Sequence, residues 1–259
     1  MATATATATA MATAGAIVVV VDGEIGAGKT SLIEVFAEHL RSLGKKVAVV
    51  PEPVEEWKKV GILQAFYANP KELAYTFQTF TFVTRVLETC RILEETPDAD
   101  IYLLERSILT DRYVFMELQR PLFDTPMTML MYEKWWNAWQ RIMPIWPTQQ
   151  IYLKPVIETC QRRVLERSRD GEIVDAASDA APDADVAKGG VSAAYQVRLR
   201  EAHEAFVEGK NRDKFPGMPE PFGFDRVTVV TGELAEGDFR HDGDVRDRLM
   251  AWLSHEVLT

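Results

Sequence analysis

Short apolar runs alternate along the chain with longer stretches in which apolar residues recur at helical spacing. The run AIVVVVDG at 16–23 is β-branched and does not alternate, which is typical of a strand buried on both faces. Residues 29–44 follow with the period of an amphipathic helix and end at a glycine. The same criteria predict further strands at 45–53, 99–107, 149–155 and 226–232. They predict further helices at 55–95, with a break near Asn69-Pro70, and at 108–120, 126–143, 156–169 and 244–257.

Strands that alternate with helices predict an α/β protein with a five-stranded parallel sheet and helices on both faces. Ligands bind to such sheets at the carboxyl ends of the strands. Charged motifs stand at three of these ends: Lys29 after the first strand, Glu52 after the second and Glu105-Arg106 after the third. The pattern therefore predicts a ligand site at this edge of the sheet.

The composition narrows the choice of partner. The chain has 259 residues, of which 47% are apolar, and a formal net charge of -10. This acidic balance argues against nucleic acid, because nonspecific nucleic-acid binding needs a basic face. Arginines gathered locally would still permit an anionic ligand. No apolar run reaches the ~18 residues that a membrane span needs, so we expect no membrane partner.

The two cysteines and two segments of biased composition bear on the cellular compartment and on the domain organisation. Cys90 and Cys160 lie in apolar, helix-like contexts and are interpreted as buried free thiols, and the four histidines show no metal-ligand spacing. Residues 1–15 resemble neither a signal peptide nor a mitochondrial presequence, so we expect a disordered Ala/Thr tail and a cytoplasmic location. Residues 16–258 are expected to form one domain, with a mobile Ala/Asp-rich insertion at 174–190.

The segment GEIGAGKTS at 23–31 fits the pattern G-x-x-x-x-G-K-[ST] of a phosphate-binding loop. Its glycines allow backbone N–H groups to converge on phosphate oxygens, Lys29 reaches the β and γ phosphates, and the Thr30 hydroxyl can hold Mg²⁺. A nucleoside triphosphate is therefore expected as a ligand. The chain lacks the N-K-x-D element of GTPase switches and an ABC-type signature, which argues against an enzyme that only hydrolyses its nucleotide.

Two motifs are suited to a phosphoryl acceptor. Glu52 stands between two prolines at a strand end, where a base for a substrate hydroxyl should lie. In YTFQTFTFVTRV, at 75–86, Gln78, Thr81 and Arg85 share one helical face among phenylalanines. Aromatic rings can stack on a flat heterocycle while the polar groups read its edge.

Further charged residues are suited to the transferred phosphate. Glu105 and Arg106 can serve Mg²⁺ and the phosphoryl group, and Asp111 can pair with Arg85. Arginines on a closing lid stabilise the charge of phosphoryl transfer, and a later helix carries three on or near one face: Arg163, Arg167 and Arg169. Each motif alone also fits a structural role: a solvated loop glutamate, an amphipathic helix, an ion pair or an exposed basic helix.

As a set, these motifs resemble the deoxyribonucleoside kinase family, which includes deoxycytidine, deoxyguanosine and insect multisubstrate kinases. The resemblance runs from about residue 16 to residue 258, and it rests on the phosphate loop, PEPVEEW, FQTF, LERS with DRY, the arginine-rich helix and GDF at 237–239. It implies a P-loop kinase with an arginine-bearing lid at 163–192 and a homodimer built through helices. The implied reaction moves the γ-phosphoryl group of ATP, with Mg²⁺, to the 5′-hydroxyl of a deoxynucleoside in deoxynucleotide salvage.

The resemblance also implies roles for individual residues. The implied catalytic residues are Glu52, which acts as general base, Arg106 and Lys29. Thr30 and Glu105 are implied to hold Mg²⁺. The residues implied to hold the donor are Gly23, Gly26, Ala27, Gly28, Lys29, Thr30, Ser31, Arg163, Arg167, Arg169, Gly237, Asp238 and Phe239. The residues implied to hold the acceptor are Glu52, Trp57, Tyr67, Phe77, Gln78, Thr81, Arg85, Arg106, Asp111, Phe115 and Glu172. In this set Gln78 reads the base, and Tyr67 and Glu172 hold the sugar 3′-hydroxyl.

The base preference is only partly indicated. Arg85 and Asp111 match the charged pair of family members that prefer deoxycytidine or purine deoxynucleosides, so these acceptors are favoured over thymidine. Thr81 stands where those members carry a smaller residue, which leaves the choice between pyrimidine and purine open. The choice between ATP and UTP as donor is open as well. The long stretch between Glu172 and Tyr195 departs from the family pattern.

Two alternatives remain beside the deoxynucleoside kinase. A thymidylate-type kinase would phosphorylate a nucleotide instead of a nucleoside, although residues 52–57 lack the R-E-P-G-G pattern that grips an acceptor phosphate. A nucleotide-binding subunit of the same fold would have lost catalysis, although Lys29, Thr30, Glu52 and Arg106 are all present.

Overall fold

A computed structural model of the chain describes residues 15–123, 125–139, 141, 143, 145–167, 191–209 and 224–259. The predicted Ala/Thr tail, apart from Gly15, and the predicted insertion at 174–190 lie outside these residues. Two predicted site residues, Arg169 and Glu172, lie outside them as well.

The strands are β1 (Ile17–Gly23), β2 (Val47–Val50), β3 (Ile101–Glu105), β4 (Gln149–Leu153) and β5 (Arg226–Val230). They form one parallel sheet in the order β2-β3-β1-β4-β5. Val19 of β1 lies opposite Leu103 of β3 and Gln149 of β4. The predicted five-stranded parallel sheet is confirmed.

Helices connect the strands and cover the sheet. The longer ones are α1 (Lys29–Ser42), α4 (Pro70–Glu95), α7 (Pro126–Trp139), α8 (Ile157–Arg167), α9 (Ala193–Val207) and α11 (Gly243–Leu258). The shorter ones are α2 (Val54–Lys59), α3 (Ile62–Ala68), α5 (Ile108–Thr110), α6 (Met116–Gln119) and α10 (Glu233–Glu236). Between α5 and α6 lies a π turn (Asp111–Phe115), and a 3₁₀ turn (Arg120–Leu122) follows α6.

Successive side chains of β1 enter two different cores, as the period of a strand requires. Val19 and Val21 belong to the core formed with α1 and α11, whereas Val18 and Val20 belong to a core on the opposite face that includes Leu93 of α4. The run of four valines therefore has no polar face, because helices cover both sides of the sheet. This arrangement confirms the predicted α/β class.

The predicted helix at 55–95 is three helices. The expected break at Asn69 is present, and Pro70 begins α4. A second break, which was not predicted, lies at Gly61, whose φ of 74° places it in the left-handed region. This conformation ends the turn after α2, and glycine adopts it at little cost.

The segment after β3 also differs from the prediction of a strand to residue 107 followed by a plain helix. The strand ends at Glu105, because Arg106 takes a left-handed φ of 60° and turns the chain. The Ser107 side chain then accepts a hydrogen bond from the backbone N–H of Leu109 and caps α5. The π turn follows, with the N–H of Met116 donating to the carbonyl of Asp111.

Both cysteines are free, as predicted, but only one is fully buried. Cys160 is buried in the core beneath the phosphate loop, and burial raises the pKa of its thiol to about 12. Cys90 on α4 is only half-buried, which corrects the expectation of two buried thiols. None of the described helices has the length and apolar character needed to cross a membrane.

Candidate active site

The phosphate loop joins β1 to α1 and owes its path to three glycines. Gly23, Gly26 and Gly28 all have positive φ angles, of 151°, 85° and 101°. A Cβ atom on Gly26 would lie 2.4 Å from the carbonyl oxygen of Cys160 in α8, so no side chain fits there. The loop is therefore pressed against the start of α8, and its curvature leaves backbone N–H groups at the start of α1 for an anion.

Lys29 is the first residue of α1 and is buried. Its ammonium donates hydrogen bonds to the carbonyls of Gly23 and Glu24, at 3.3 and 3.0 Å, which closes the loop over its own side chain. Burial, together with the charge of Arg106, lowers the pKa of Lys29 to about 8 despite Glu105 and Glu52. A bound phosphate would place a negative charge beside this buried ammonium group.

Two cavities open on the carboxyl edge of the sheet and meet at the phosphate loop. The first, of about 240 Å³, is lined by every predicted acceptor residue that the structure describes. The second is lined by the phosphate loop, α8 and the turn at 237–239. The residues that line both are Gly26, Lys29, Thr30, Glu105 and Arg167. Of the residues predicted to hold the donor, Gly23 and Ala27 line neither cavity.

A carboxylate that is only 10% exposed, Glu52, stands between two guanidinium groups in the first cavity. Its Oε1 accepts hydrogen bonds from Nη2 of Arg85 and Nη1 of Arg106, both at 3.0 Å. Burial alone would raise the pKa of Glu52, but the charges of Arg106 and Arg85 outweigh burial and hold the pKa well below its usual range. Glu52 is therefore ionised at every physiological pH.

Arg85 links this carboxylate to a second one. Its Nε donates to Oδ2 of Asp111 at 2.9 Å, and its Nη1 donates to the carbonyl of Glu105 at 2.9 Å. Burial raises the pKa of Asp111 even though Arg85 opposes this shift. The predicted pair of Arg85 with Asp111 is confirmed, and the pair is tied to Glu52 through one guanidinium.

The side chains of Thr30 and Glu105 meet where the two cavities join. The Thr30 hydroxyl lies 2.9 and 3.0 Å from the two carboxylate oxygens of Glu105. A hydroxyl and a carboxylate at this distance are oxygen ligands of the kind that Mg²⁺ takes beside phosphate oxygens. Within the described residues no group of three or more His, Cys, Asp and Glu side chains could hold a metal unaided.

Arg106 combines a strained backbone with a buried guanidinium whose two terminal nitrogens, Nη1 and Nη2, both donate hydrogen bonds. It is the one non-glycine residue with a positive φ among the described residues. Its Nη2 donates to the carbonyl of Gly23, and its guanidinium carbon lies 4.7 Å from the centre of the Phe115 ring. A left-handed conformation costs an arginine roughly 1–2 kcal/mol, and such strain persists where neighbouring contacts hold it.

Aromatic rings wall the first cavity. Phe77 stacks on Phe66 with ring centres 4.3 Å apart and meets Trp57 edge-on at 6.2 Å. Trp57 is fixed by a hydrogen bond of 2.8 Å from its indole N–H to the Thr84 hydroxyl. Trp57, Phe77 and Phe115, which were predicted to flank a base, line this cavity, and so does Phe66, which the sequence reasoning missed.

The arginines of α8 have different surroundings. The guanidinium of Arg163 donates to the carbonyls of Ala27, Glu236 and Gly237 at 2.8, 2.9 and 3.0 Å, so it fastens the phosphate loop to the turn at 237–239. Arg167 lines both cavities. Phe239 is buried in the main core, and Asp238 is exposed beside His241.

A second polar cluster, behind the phosphate loop, was not predicted. The carboxylate of Glu24 is fully buried and accepts hydrogen bonds from the Tyr152 hydroxyl at 2.9 Å and from Arg200 Nε at 2.7 Å. Gln196 donates to the carbonyl of Ile25 at 2.5 Å. Helix α9 is thus attached to the phosphate loop, a contact that no local sequence pattern signals.

Comparison with known proteins agrees with this geometry. Residues 19–178, more than half of the chain, match the family model of the deoxynucleoside kinases. The chain belongs to the deoxynucleoside kinase family. It is therefore a phosphotransferase, with a nucleoside triphosphate as phosphoryl donor and a nucleoside as the other substrate.

Relatives of this deoxynucleoside kinase have different named specificities. A probable deoxycytidine kinase of fowlpox virus is 28% identical over 89% of this chain and 84% of its own length. The deoxycytidine kinase 2 of Gallus gallus is 27% identical over 86% of this chain and 83% of its own length. The mitochondrial thymidine kinase 2 of Homo sapiens is 29% identical over 61% of this chain and 57% of its own length.

Proposed function

We propose that this kinase transfers the γ-phosphoryl group of ATP to the 5′-hydroxyl of a 2′-deoxynucleoside, with deoxycytidine and purine deoxynucleosides favoured over thymidine, in deoxynucleotide salvage. The observation that carries the proposal is the position of Glu52. Its carboxylate lies in the cavity with the aromatic walls, beside the residues shared with the phosphate-loop cavity. A hydroxyl bound at Glu52 would therefore face a phosphate bound at the loop.

Glu52 is assigned to the acceptor hydroxyl. The two arginines keep it ionised, so it can accept a hydrogen bond from the hydroxyl and fix one lone pair toward the phosphorus. Phosphoryl transfer has a loose transition state in which bonding to the attacking oxygen is still weak. The proton therefore moves to Glu52 late, and its low basicity is compatible with this role.

Positive charge at the junction is assigned to the transferred group. Lys29, Arg106 and Arg167 all lie at or beside the region where the cavities meet. Charge spread over the three equatorial oxygens is stabilised by cations that are already positioned before the reaction. Arg163 has a positioning role in this scheme, because its hydrogen bonds go to backbone carbonyls.

Thr30 and Glu105 fit a magnesium ion bound with the donor. Mg²⁺ is commonly held by one or two protein oxygens, with the remainder supplied by phosphates and water, and this pair offers a hydroxyl and a carboxylate at one point. When bound, the ion would neutralise charge on the β and γ phosphates. The chain itself holds Glu105 at the end of β3, where its carboxylate would serve as a ligand.

The base is assigned to the far end of the first cavity. Phe77, Trp57 and Phe115 would flank its faces, and the amide of Gln78 would bind its edge. The pair of Arg85 with Asp111 would face an amino group or a ring nitrogen, whereas thymine lacks the amino group. Tyr67 lines the same cavity and is assigned, with Glu172, to the sugar 3′-hydroxyl.

The deciding experiment is phosphorylation of thymidine, deoxycytidine, deoxyadenosine and deoxyguanosine with Mg-ATP by the native enzyme and by Glu52→Gln. The amide keeps the size of the side chain but cannot take a proton, so kcat should fall by two orders of magnitude or more while ATP binding persists. Glu56→Gln is the matched control, because Glu56 belongs to the same motif but is exposed and lines neither cavity. It should leave the rate unchanged.

The same assay separates the alternatives. Transfer to a deoxynucleoside monophosphate but to no nucleoside would overturn the proposal in favour of a thymidylate-type kinase. ATP binding without transfer to either acceptor would indicate a silent subunit. Strong preference for thymidine would show that the charged pair does not act on the base as proposed.

A homodimer through α7 completes the proposal. Met127, Leu130, Met131 and Trp135 occupy one face of this helix, and Met127 and Trp135 are 65% and 48% exposed. A row of large apolar side chains at helical spacing is typical of a buried protein interface. Light scattering should give twice the chain mass for the native protein and the single chain mass for Leu130→Glu.

A further inference from the structure

Two buried amides, not one, line the acceptor cavity. Gln78 on α4 and Gln119 on α6 are each only 1% exposed, and both contribute to the cavity wall. Neither Oε1 atom has a hydrogen-bond partner among the described residues. A buried amide oxygen without a partner costs about 1–3 kcal/mol, so a pair of them at one cavity points to a ligand that satisfies both.

The π turn is the feature that brings Gln119 to the cavity. Asp111, Phe115 and Gln119 follow one another at four-residue steps, and all three line it. In an α-helix a four-residue step overshoots a full turn by about 40°. In the wider π turn between Asp111 and Phe115 the same step falls short of a full turn, so the two rotations offset each other. The three side chains therefore form one stripe, with Gln119 one turn beyond the aromatic wall.

Other polar side chains of the cavity already form hydrogen bonds within the protein. Asp111 accepts two hydrogen bonds from Arg85, and the Thr81 hydroxyl donates to the carbonyl of Gln78 within α4. The two amides are thus the groups that most need a partner. Each carries a donor and an acceptor side by side, which match an amino group next to a ring nitrogen.

We propose that Gln119 is a second base-reading residue beside Gln78 and that it directs the enzyme to purine deoxynucleosides, with adenine as the best match. Adenine presents two such edges, because its amino group is flanked by N1 on one side and N7 on the other. Cytosine presents only one, and its other edge carries a C–H group. A pyrimidine leaves one amide unsatisfied, whereas a purine satisfies both.

This proposal rests on the proposed function, and Gln119→Met tests it apart from that function. Methionine keeps the length of the side chain and removes the amide. We expect kcat/KM for deoxyadenosine and deoxyguanosine to fall by a factor of roughly 5 to 100, while the pyrimidine values change less than about twofold. The KM for ATP should not change. Leu118→Met is the matched control, because Leu118 is the preceding residue of the same helix and does not line the cavity.

Purine analogues identify the atom that Gln119 contacts. 1-Deaza- and 7-deaza-2′-deoxyadenosine each lack one ring nitrogen, and one of them should be insensitive to Gln119→Met although it is a poorer substrate of the native enzyme. An equal loss for all four nucleosides, no loss at all, or additive effects with both analogues would overturn the proposal. If the native enzyme phosphorylates no nucleoside, the proposed function fails instead.

Discussion

Arg85 Nε donates a hydrogen bond to Oδ2 of Asp111 across 2.9 Å, although each side chain exposes only 3% of its surface. Neither charge is accessible to solvent, so Asp111 depends on Arg85, whereas Arg85 is also paired with Glu52. Removing one partner of a buried pair costs more than replacing both with apolar groups, because the remaining charge is left without compensation. This relationship has consequences for both stability and substrate choice.

We expect Asp111→Ala and Arg85→Met to lower the free energy of unfolding by about 3 kcal/mol each, and the double variant to lose less than the sum. Only the double variant should gain activity toward thymidine relative to deoxycytidine, because it clears the cavity of a charge that thymine cannot satisfy. Denaturant unfolding and relative kcat/KM values measure the two effects. Additive losses of stability would contradict the coupling.

The lowered pKa of Lys29 predicts how donor binding depends on pH. Its pKa is lowered to about 8, so the cation is present below this pH and is lost as pH rises through it. The kcat/KM for ATP, which reports the free enzyme, should fall about tenfold per pH unit above 8. The limb in kcat should lie at higher pH, because bound phosphates stabilise the protonated amine. Lys29→Arg, whose guanidinium stays charged, should show no such limb; a native profile that is flat to pH 9.5 would contradict the assignment.

The left-handed backbone of Arg106 predicts an unusual order of stability for two variants at this position. Both Arg106→Ala and Arg106→Gly remove the partner of Glu52, but only glycine relieves the left-handed φ of 60°. Arg106→Gly should therefore be about 1 kcal/mol more stable than Arg106→Ala, a difference of roughly 3 °C in Tm. Both should lose transfer activity. Equal melting temperatures would show that the strain is not present in solution.

Substitutions at Gly26 and Gly61 distinguish the effect of close packing from the effect of backbone conformation. Both have positive φ angles, of 85° and 74°, but only at Gly26 would a Cβ meet another atom, the carbonyl of Cys160 at 2.4 Å. Gly61→Ala should cost about 1 kcal/mol and leave the KM for ATP unchanged. Gly26→Ala should cost more and should raise that KM several-fold, because the loop must move away from α8. Thermal unfolding and donor titrations of both variants provide the comparison.

Local patterns were sufficient for much of the fold and for part of the site. The valines of β1, the glycines and Lys29 of the loop, and Glu52 after its strand carry their signals within a few residues. The pair of Arg85 with Asp111 was also expected, because the two residues match a charged pair of the family that the chain resembles. The resemblance to the family, not local patterns alone, supplied the acceptor set, and the ten of its residues that the structure describes line a single cavity.

Other features depend on partners far away in the chain. The hydrogen bonds of Arg163 go to carbonyls that no pattern identifies, and Glu24 is buried because Arg200 and Tyr152 reach it. The left-handed backbone of Arg106 is maintained by contacts with Gly23, Glu52 and Phe115. Gln119 was not predicted as a site residue because its four-residue spacing from Phe115 is ordinary in a helix. The π turn between Asp111 and Phe115 is what places all three side chains in one stripe along the cavity.

The strand order also bears on how the protein is made. β1 lies between β3 and β4, so Val19, near the start of the chain, pairs with Leu103 and Gln149. A chain emerging from the ribosome cannot enclose the loop after β1 until Leu153 has been synthesised. The earliest part of the site to be translated is thus among the last to acquire its shape, and nucleotide binding by a nascent chain would report that the centre of the sheet is complete.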